Sequence, residues 1–197
     1  MDSGARPSEA RSRLLGTASR IFYAEGLHSV GVDRIITEAN TTRATFYRHF
    51  PGKEDLVVAY LEEADRAVRA RFTDRREGSA TAADALRAVA ADIAADIRGK
   101  SFRGCAFLNA AAEYPEPENP VHRQVMRHRE WFLGAVTELF EQDGMGPAGP
   151  AGRHFVMLRD GAMVSGCLSD PGDVCATFLA GVDGLLWSRT VVGTTRT

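Results

Sequence analysis

The chain has 197 residues, enough for one or two domains with a substantial buried core. Its 44% hydrophobic and 25% charged residues are ordinary for a globular protein, and no run approaches the roughly 20 apolar residues that span a bilayer. Three cysteines without a Cys-x-x-Cys pair indicate neither a disulfide framework nor a zinc site, and the polar start lacks a secretory signal, so a cytoplasmic location without a membrane partner is expected.

The net charge of −2 conceals an asymmetry between the two parts of the chain. Residues 1–53 carry eight Lys/Arg and five Asp/Glu, whereas residues 54–197 carry sixteen and twenty-one. A basic amino-terminal part on an acidic body suits a small head that contacts nucleic acid, although so small an excess also arises by chance. The many Ala, Arg, Gly and Asp residues are typical of a high-GC bacterial source.

Two short helices and a turn are predicted near the amino end, after a first helix over about Arg11–Glu25. That first helix carries Leu14, Ala18, Ile21 and Phe22 on one face. Val32, Ile35 and Ile36 then form an apolar stripe at helical spacing. Asn40 interrupts the stripe, and Asn tolerates the left-handed conformation of a tight turn. Thr41 or Thr42 can cap the following helix through its hydroxyl.

The helix predicted over Arg43–His49 separates an inner face from an outer face. Phe46 and Phe50 are four residues apart and face inward. The remaining side chains, which lie on or near the outer faces, are Arg43, Thr45, Tyr47, Arg48 and His49. This is the pattern of a helix-turn-helix whose second helix enters the major groove of DNA.

The rest of the chain is predicted to be helical. A connector helix runs from Lys53 to about Arg75, and Thr81 caps the next helix. Further helices are predicted over Cys105–Ala112, from Asn119-Pro120 to before Gly144, over about Arg153–Leu168, and over about Pro171–Val192. The stretch Gly144–Gly152 is predicted to be a flexible loop. No alternating run indicates a sheet, so the fold class is all-α with about nine helices.

The head resembles the TetR/AcrR family of transcriptional regulators. The run Thr45-Phe46-Tyr47-Arg48-His49-Phe50, followed by Lys53 and Leu56, resembles the family signature Thr-Leu-Tyr-x-x-Phe-x-x-Lys-x-x-Leu. Phe22 and Gly26 resemble the Phe-x-x-x-Gly ending of the family's first helix. The resemblance covers about Ser8–Ala64, and Gly31, Asn40 and Thr41 depart from the usual residues. It implies a helix-turn-helix domain over residues 8–53 and a ligand-binding and dimerisation domain over residues 54–197.

The resemblance also implies partners and site residues. The expected partners are double-stranded operator DNA, a second copy of the chain as a homodimer, and a small-molecule effector of unknown identity. The candidate DNA-contacting residues, from geometry and resemblance together, are Thr42, Arg43, Ala44, Thr45, Tyr47, Arg48, His49 and Lys53. The candidate effector-pocket residues are Phe107, Asn109, Tyr114, Met126, Trp131 and Phe155. The candidate dimer-interface residues, on the last two helices, are Gly161, Ser165, Phe178, Gly181 and Leu185.

Each assignment has a structural alternative. The pocket residues are also what an ordinary core requires, the dimer residues also suit packing within one chain, and Arg48 and His49 also suit a surface without base contacts. Cys105 is either a redox-responsive thiol, which would make a redox-responsive regulator, or a small buried hydrophobe.

His122, His128 and His154 lack metal-ligand spacing, so no metal and no cofactor are expected. An all-α enzyme would need convergent acid-base groups, which the pattern does not indicate, so the chain is not expected to be an enzyme.

Overall fold

A computed structural model describes residues 8–144 and 146–193, with side chains described as far as Trp187. This part of the chain contains helices and no strand, which confirms the all-α prediction. The helices are α1 (Glu9–Glu25), α2 (Val32–Glu38), α3 (Arg43–His49), α4 (Lys53–Glu77), α5 (Ala82–Ile97), α6 (Ala106–Glu113), α7 (Pro120–Asp143), α8 (Ala148–Ser165) and α9 (Pro171–Gly193).

Helices α1, α2 and α3 pack around one small core in the head. Leu14, Ile21, Ile35 and Phe46 are fully buried there. α1 begins at Glu9, two residues earlier than predicted, because the Ser8 hydroxyl accepts a hydrogen bond from the backbone N–H of Arg11. Gly26, with φ of 92°, ends the helix and returns its N–H to the Phe22 carbonyl.

The turn between α2 and α3 has the predicted chemistry. Asn40 adopts φ of 46°, the left-handed conformation that Asn tolerates. Thr42, rather than Thr41, caps α3, since its hydroxyl accepts a bond of 3.1 Å from the Thr45 N–H. The turn prediction is therefore confirmed, and the cap is assigned to one of the two candidate residues.

Four exposed charges join α1 to α2. Arg34 pairs with Glu25 and Glu38, and Arg20 Nη2 lies 2.8 Å from Glu38 Oε2. Exposed pairs contribute about 0–1 kcal/mol each, so this network orients the two helices more than it stabilises them.

Helix α4 extends from the head into a body formed by α5–α9. In the body, α7 packs against α4, α5, α6 and α8, and α9 packs against α5 and α8. Phe140, Phe155 and Phe178 stack edge to face through its centre. The predicted caps are confirmed at Thr81 and Asn119, whose side chains accept backbone N–H bonds at the starts of α5 and α7. Asp170 does the same for α9, where its Oδ1 accepts from the N–H groups of Gly172 and Asp173.

The loop prediction for Gly144–Gly152 is wrong over its second half. Pro147 is the amino-terminal cap residue of α8, and the helix begins at Ala148, five residues before the predicted start at Arg153. Proline is tolerated in a first helical turn because the N–H it lacks would have no partner there. A glycine suits position 152 of this helix because α8 approaches α7 closely there, and an added Cβ would overlap the Thr137 side chain.

Candidate nucleic-acid interface and body cavity

The outer face of α3 presents the predicted DNA-contacting side chains. Thr42, Arg43, Ala44, Tyr47 and Arg48 are exposed. The Tyr47 side chain is 47% exposed, a large fraction for an aromatic residue. Among the residues of α3 none is acidic, whereas Arg43, Arg48 and His49 are basic. This surface therefore has the shape and the charge that a major groove accepts.

Two buried rings hold that face in position. Phe46 is 0% exposed and Phe50 is 2% exposed, as the spacing predicts. The Tyr47 ring stands edge-on to the Phe46 ring, with centroids 5.2 Å apart and an interplanar angle of 87°. Because Phe46 cannot move without opening the head core, the direction of Tyr47 is restricted by the same packing.

The three remaining predicted residues, Thr45, His49 and Lys53, are partly buried and have partners. Thr45 Oγ1 accepts from Thr42 Oγ1 at 2.9 Å, and His49 Nε2 lies 3.0 Å from Ser8 Oγ. Lys53 Nζ donates to the His28 carbonyl at 3.1 Å. Burial lowers the pKa of Lys53, and the Glu113 carboxylate partly opposes that shift.

On the exposed part of the face, the Arg43 guanidinium pairs with the Asp33 carboxylate. Sequence reasoning missed Ser8, His28 and Asp33 as partners because they lie 10 to 41 residues away.

A second feature is a cavity of about 500 Å³ in the body, between α4, α5, α6 and α8. Its apolar walls include Val68, Phe102, Phe107 and Met163. Its polar groups are Tyr23, Arg71, Asp96, Lys100, Ser101, Cys105 and Arg159. A cavity of this size that combines apolar walls with polar groups is typical of a small-molecule site.

One wall of the cavity contains a buried ring stack. His128 is 2% exposed and lies flat on Phe107, with ring centroids 3.5 Å apart and an interplanar angle of 2°. Its Nδ1 lies 2.7 Å from Asp65 Oδ1, and Arg69 Nε donates to the other oxygen of Asp65 at 2.7 Å. Burial lowers the pKa of His128, and the Asp65 carboxylate only partly opposes the shift.

Arg159 is the most deeply buried cation beside the cavity, at 7% exposure. Its Nη1 donates to Asp160 Oδ1 at 2.8 Å, and its Nη2 lies 3.1 Å from Cys105 Sγ. Arg129 Nη2 donates to Asp160 Oδ2, also at 2.8 Å. Two guanidinium groups therefore share one carboxylate. Sequence reasoning singled out Cys105 but missed its partner Arg159, because the two residues lie 54 positions apart in the chain.

The six predicted pocket residues do not line one cavity. Phe107 lines the cavity described above, whereas Asn109 lines a cleft near α1 and Trp131 lines a groove beside α4. Tyr114 and Phe155 are buried core residues, and Met126 is 41% exposed. The effector role of these six residues stays a prediction. They are spread over several places because apolar side chains at helical spacing fill core and surface positions alike.

The five predicted dimer residues lie in three environments. Phe178 is 3% exposed and packs edge to face on Phe155 of its own chain, which favours the alternative of packing within one chain for this residue. Gly161 is exposed, while Ser165, Gly181 and Leu185 are partly buried. The large apolar side chains that are exposed on α8, α9 and the turn between them are Met157, Val164, Leu168 and Trp187. Sequence reasoning did not separate these residues from the core ones because helices α8 and α9 are apolar on more than one face.

Helix α6 connects the cavity to the head. At its carboxyl end, the Glu113 carboxylate accepts the backbone N–H groups of Leu27, at 2.8 Å, and His28. At its amino end lie Cys105 and Phe107, which line the cavity. Just before α6, the Tyr23 hydroxyl donates to the Gly104 carbonyl at 3.0 Å and accepts from the Arg103 N–H. Burial raises the pKa of Tyr23, which keeps this phenol protonated as the donor.

Among the described residues, no helix is both long and apolar enough to cross a membrane. Within residues 8–144 and 146–193, no three His, Cys, Asp or Glu side chains form a set that could hold a metal ion.

Comparison with known proteins agrees with this geometry. The family model for bacterial regulatory proteins of the tetR family matches residues 14–60. LmrA, an HTH-type transcriptional regulator of Bacillus subtilis, is 30% identical over 81 residues, which are 41% of this chain and 43% of LmrA. The chain therefore matches less than half the length of that relative.

Solved structures extend the similarity to the body. A putative TetR transcriptional regulator of Streptomyces avermitilis is 20% identical to this chain, with a TM-score of 0.76. The match covers 89% of this chain and 99% of that one, which shows that the two share a fold. SCO4454, a TetR-family transcriptional regulator from Streptomyces coelicolor, is 62% identical with a TM-score of 0.89. The match covers 92% of this chain and 96% of SCO4454. Since the likeness at this identity spans both head and body, the chain belongs to the TetR family of transcriptional regulators.

Proposed function

We propose that the chain is a homodimeric repressor that leaves a palindromic operator when a small molecule occupies the cavity in the body. Residues 8–53 form the DNA-binding domain and residues 54–197 form the ligand-binding and dimerisation domain. The connector is helix α4, over about Lys53–Arg75. The observation that carries the proposal is the exposed, basic outer face of α3, held in place by two buried rings.

The eight predicted residues divide into three groups by their proposed role on DNA. Arg43, Tyr47 and Arg48 are exposed and long enough to reach base edges or phosphates. Thr42 and Ala44 are exposed and short, which allows the helix to approach the groove closely. The remaining residues, Thr45, His49 and Lys53, position the helix. The contacts of His49 with Ser8 and of Lys53 with His28 support this role. Lys53 also lies near the phosphates.

Dimerisation sets the spacing of two recognition helices. Met157, Gly161, Val164 and Leu168 follow one another at helical spacing along one side of α8 and into the turn after it, and all four are exposed. Trp187 on α9 is 72% exposed. An apolar face of this length is typical of an interface between protomers. Two half-sites one helical turn apart, or a multiple of that, would then be contacted by one dimer.

Helix α6 provides the coupling between effector and operator. A ligand that rearranges residues at the amino end of α6 would alter the bonds of Glu113 to the head at the other end. The ligand can shift the equilibrium between two arrangements of the head only by the difference in its binding free energy for those two arrangements.

Selection of bound duplexes from a random pool tests the proposal. The parent chain is expected to enrich an inverted repeat, with affinity that falls steeply as salt increases. The variant with Arg43→Ala and Tyr47→Ala should lose that enrichment while its circular dichroism remains that of a folded helical protein. Arg153→Ala, which removes an exposed cation on α8, is the matched control and should enrich the parent's sites. Enrichment of the same sites by the double variant would refute the assignment of α3.

A redox-responsive regulator is the second candidate function. Arg159 Nη2 lies 3.1 Å from Cys105 Sγ, so a cation contacts this thiol directly. Cys105 is only 6% exposed, which restricts access of an oxidant. Loss of operator binding on peroxide treatment that is absent in Cys105→Ser would favour this candidate over a chemical effector.

A further inference from the structure

We propose that the effector is an apolar, ring-containing molecule with one negative charge, held through a carboxylate by Arg159. The inference rests on the proposed function, because it takes the cavity in the body to be the effector site.

The first argument is the balance of charge around Arg159. Asp160 is the only carboxylate bonded to Arg159 in the described part of the chain, and it also accepts from Arg129. Asp65, the other partly buried acid nearby, is occupied by His128 and Arg69. One carboxylate therefore serves two guanidinium groups. A buried cation without a full counter-charge is unfavourable, and an anion at this position would remove that penalty.

The second argument is the direction of the guanidinium. Nη1 is directed at Asp160, whereas Nη2 is directed at Cys105 Sγ. Sulfur is a weak acceptor, and hydrogen bonds from a cation to a carboxylate are about twice as strong as neutral ones. Arg159 and Cys105 both line the cavity, so a ligand carboxylate near the sulfur would give Nη2 a charged acceptor without moving the arginine.

The third argument is the remaining wall of the cavity. Phe102 and Phe107 offer flat apolar surface and Met163 adds a flexible apolar side chain, while the stacking of Phe107 on His128 fixes the plane of the Phe107 ring. The other charged groups lie at the rim. Arg71 and Asp96 neutralise one another through two bonds of 2.9 and 3.0 Å, and Lys100 is exposed. The cavity thus has one buried charge to satisfy and a large apolar surface, which selects one anionic group on a ring.

Isothermal titration of the full chain with matched acid and amide pairs tests the inference. The probes are naphthoate with its neutral isostere naphthamide, and phenylbutyrate with phenylbutyramide. At neutral pH each acid is expected to bind about tenfold or more tightly than its amide, since the amide has the same shape without the charge. Equal binding of acid and amide, tighter binding of the amide, or no binding of either acid would overturn the inference.

Variants assign the preference to a residue. Arg159→Met should abolish the preference for the acid. Lys100→Met makes the same change of charge at the rim of the cavity and should preserve it. Arg159→Lys keeps the charge but loses the planar fork, and it should retain part of the preference even if the methionine variant does not fold. A preference that survives in Arg159→Met, or that disappears equally in Lys100→Met, would overturn the assignment.

Operator binding separates this inference from the proposed function. If the amides release the selected duplex as well as the acids do, the proposed function holds and the anionic effector is refuted. If the acids bind through Arg159 but the chain enriches no duplex, the anion site holds and the proposed function is refuted.

Discussion

Replacement of Glu113 by alanine is expected to weaken the attachment of the head to the body. The carboxylate accepts two backbone N–H groups in the segment after α1. Bonds to a charged acceptor contribute about 1.5–3 kcal/mol each when buried. One of these bonds is part-buried and the other is exposed, so a discounted loss of about 2 kcal/mol in total is expected. In a chain of 197 residues that corresponds to a decrease in Tm of about 4–8 °C.

Urea unfolding followed by circular dichroism measures this loss. Glu113→Gln, which keeps one oxygen acceptor but no charge, should lose about half as much. Glu116→Ala, at an exposed position three residues later, is the control and should leave the unfolding free energy unchanged. The same Glu113 variants should show a reduced effect of effector on operator affinity. Unfolding curves of Glu113→Ala that superimpose on those of the parent would refute the role of this carboxylate.

Three further predictions concern single positions. Because burial lowers the pKa of His128 below about 6.5, the unfolded chain binds its proton more readily, and the unfolding free energy should fall as pH decreases from about 6.5 towards the folded pKa. Gly152→Ala should destabilise the fold by about 1–3 kcal/mol through overlap with Thr137, whereas Gly134→Ala, with open space around it, should stabilise α7 by about 0.5–1 kcal/mol. Asn40→Ala should cost about 1 kcal/mol because of its positive φ.

Each of these predictions has a measurement that can contradict it. Urea titrations at a series of pH values should give a flatter dependence for His128→Gln than for His154→Gln, an exposed control, and equal slopes would remove His128 as the source. Thermal unfolding compares the two glycine variants, and the same sign of change for both would contradict the packing argument. An unchanged midpoint for Asn40→Ala would mean that the turn relaxes to another conformation.

Local chemistry made the head predictable from the sequence. The α2–α3 turn depends on Asn40 and Thr42, which act on backbone groups within three residues of themselves. The inward positions of Phe46 and Phe50 follow from helical spacing alone. The body exposed the limit of the same reasoning, since Gly and Pro content indicated a loop where α8 in fact begins at Ala148.

The candidate cavity was less predictable because its partners are distant in the chain. Arg159 meets Cys105 across 54 residues, His128 meets Asp65 across 63, and Glu113 meets Leu27 across 86. No spacing rule within one helix connects such pairs. The exposed or buried state of Met157 and Phe178 likewise depends on how α8 and α9 pack, which helical periodicity alone does not fix.

The shortness of α6 has a mechanical consequence. Eight residues of α-helix are about 12 Å long, so α6 behaves as a stiff rod. One end of the rod lies at the cavity and the other end contacts the segment after α1 in the head. A tilt of about 10° around one tip would displace the other by about 2 Å. That displacement would stretch the 2.8 Å bond from Leu27 to Glu113 beyond the limit of a hydrogen bond. A small tilt of α6 at the cavity would therefore break its hydrogen bond to the head.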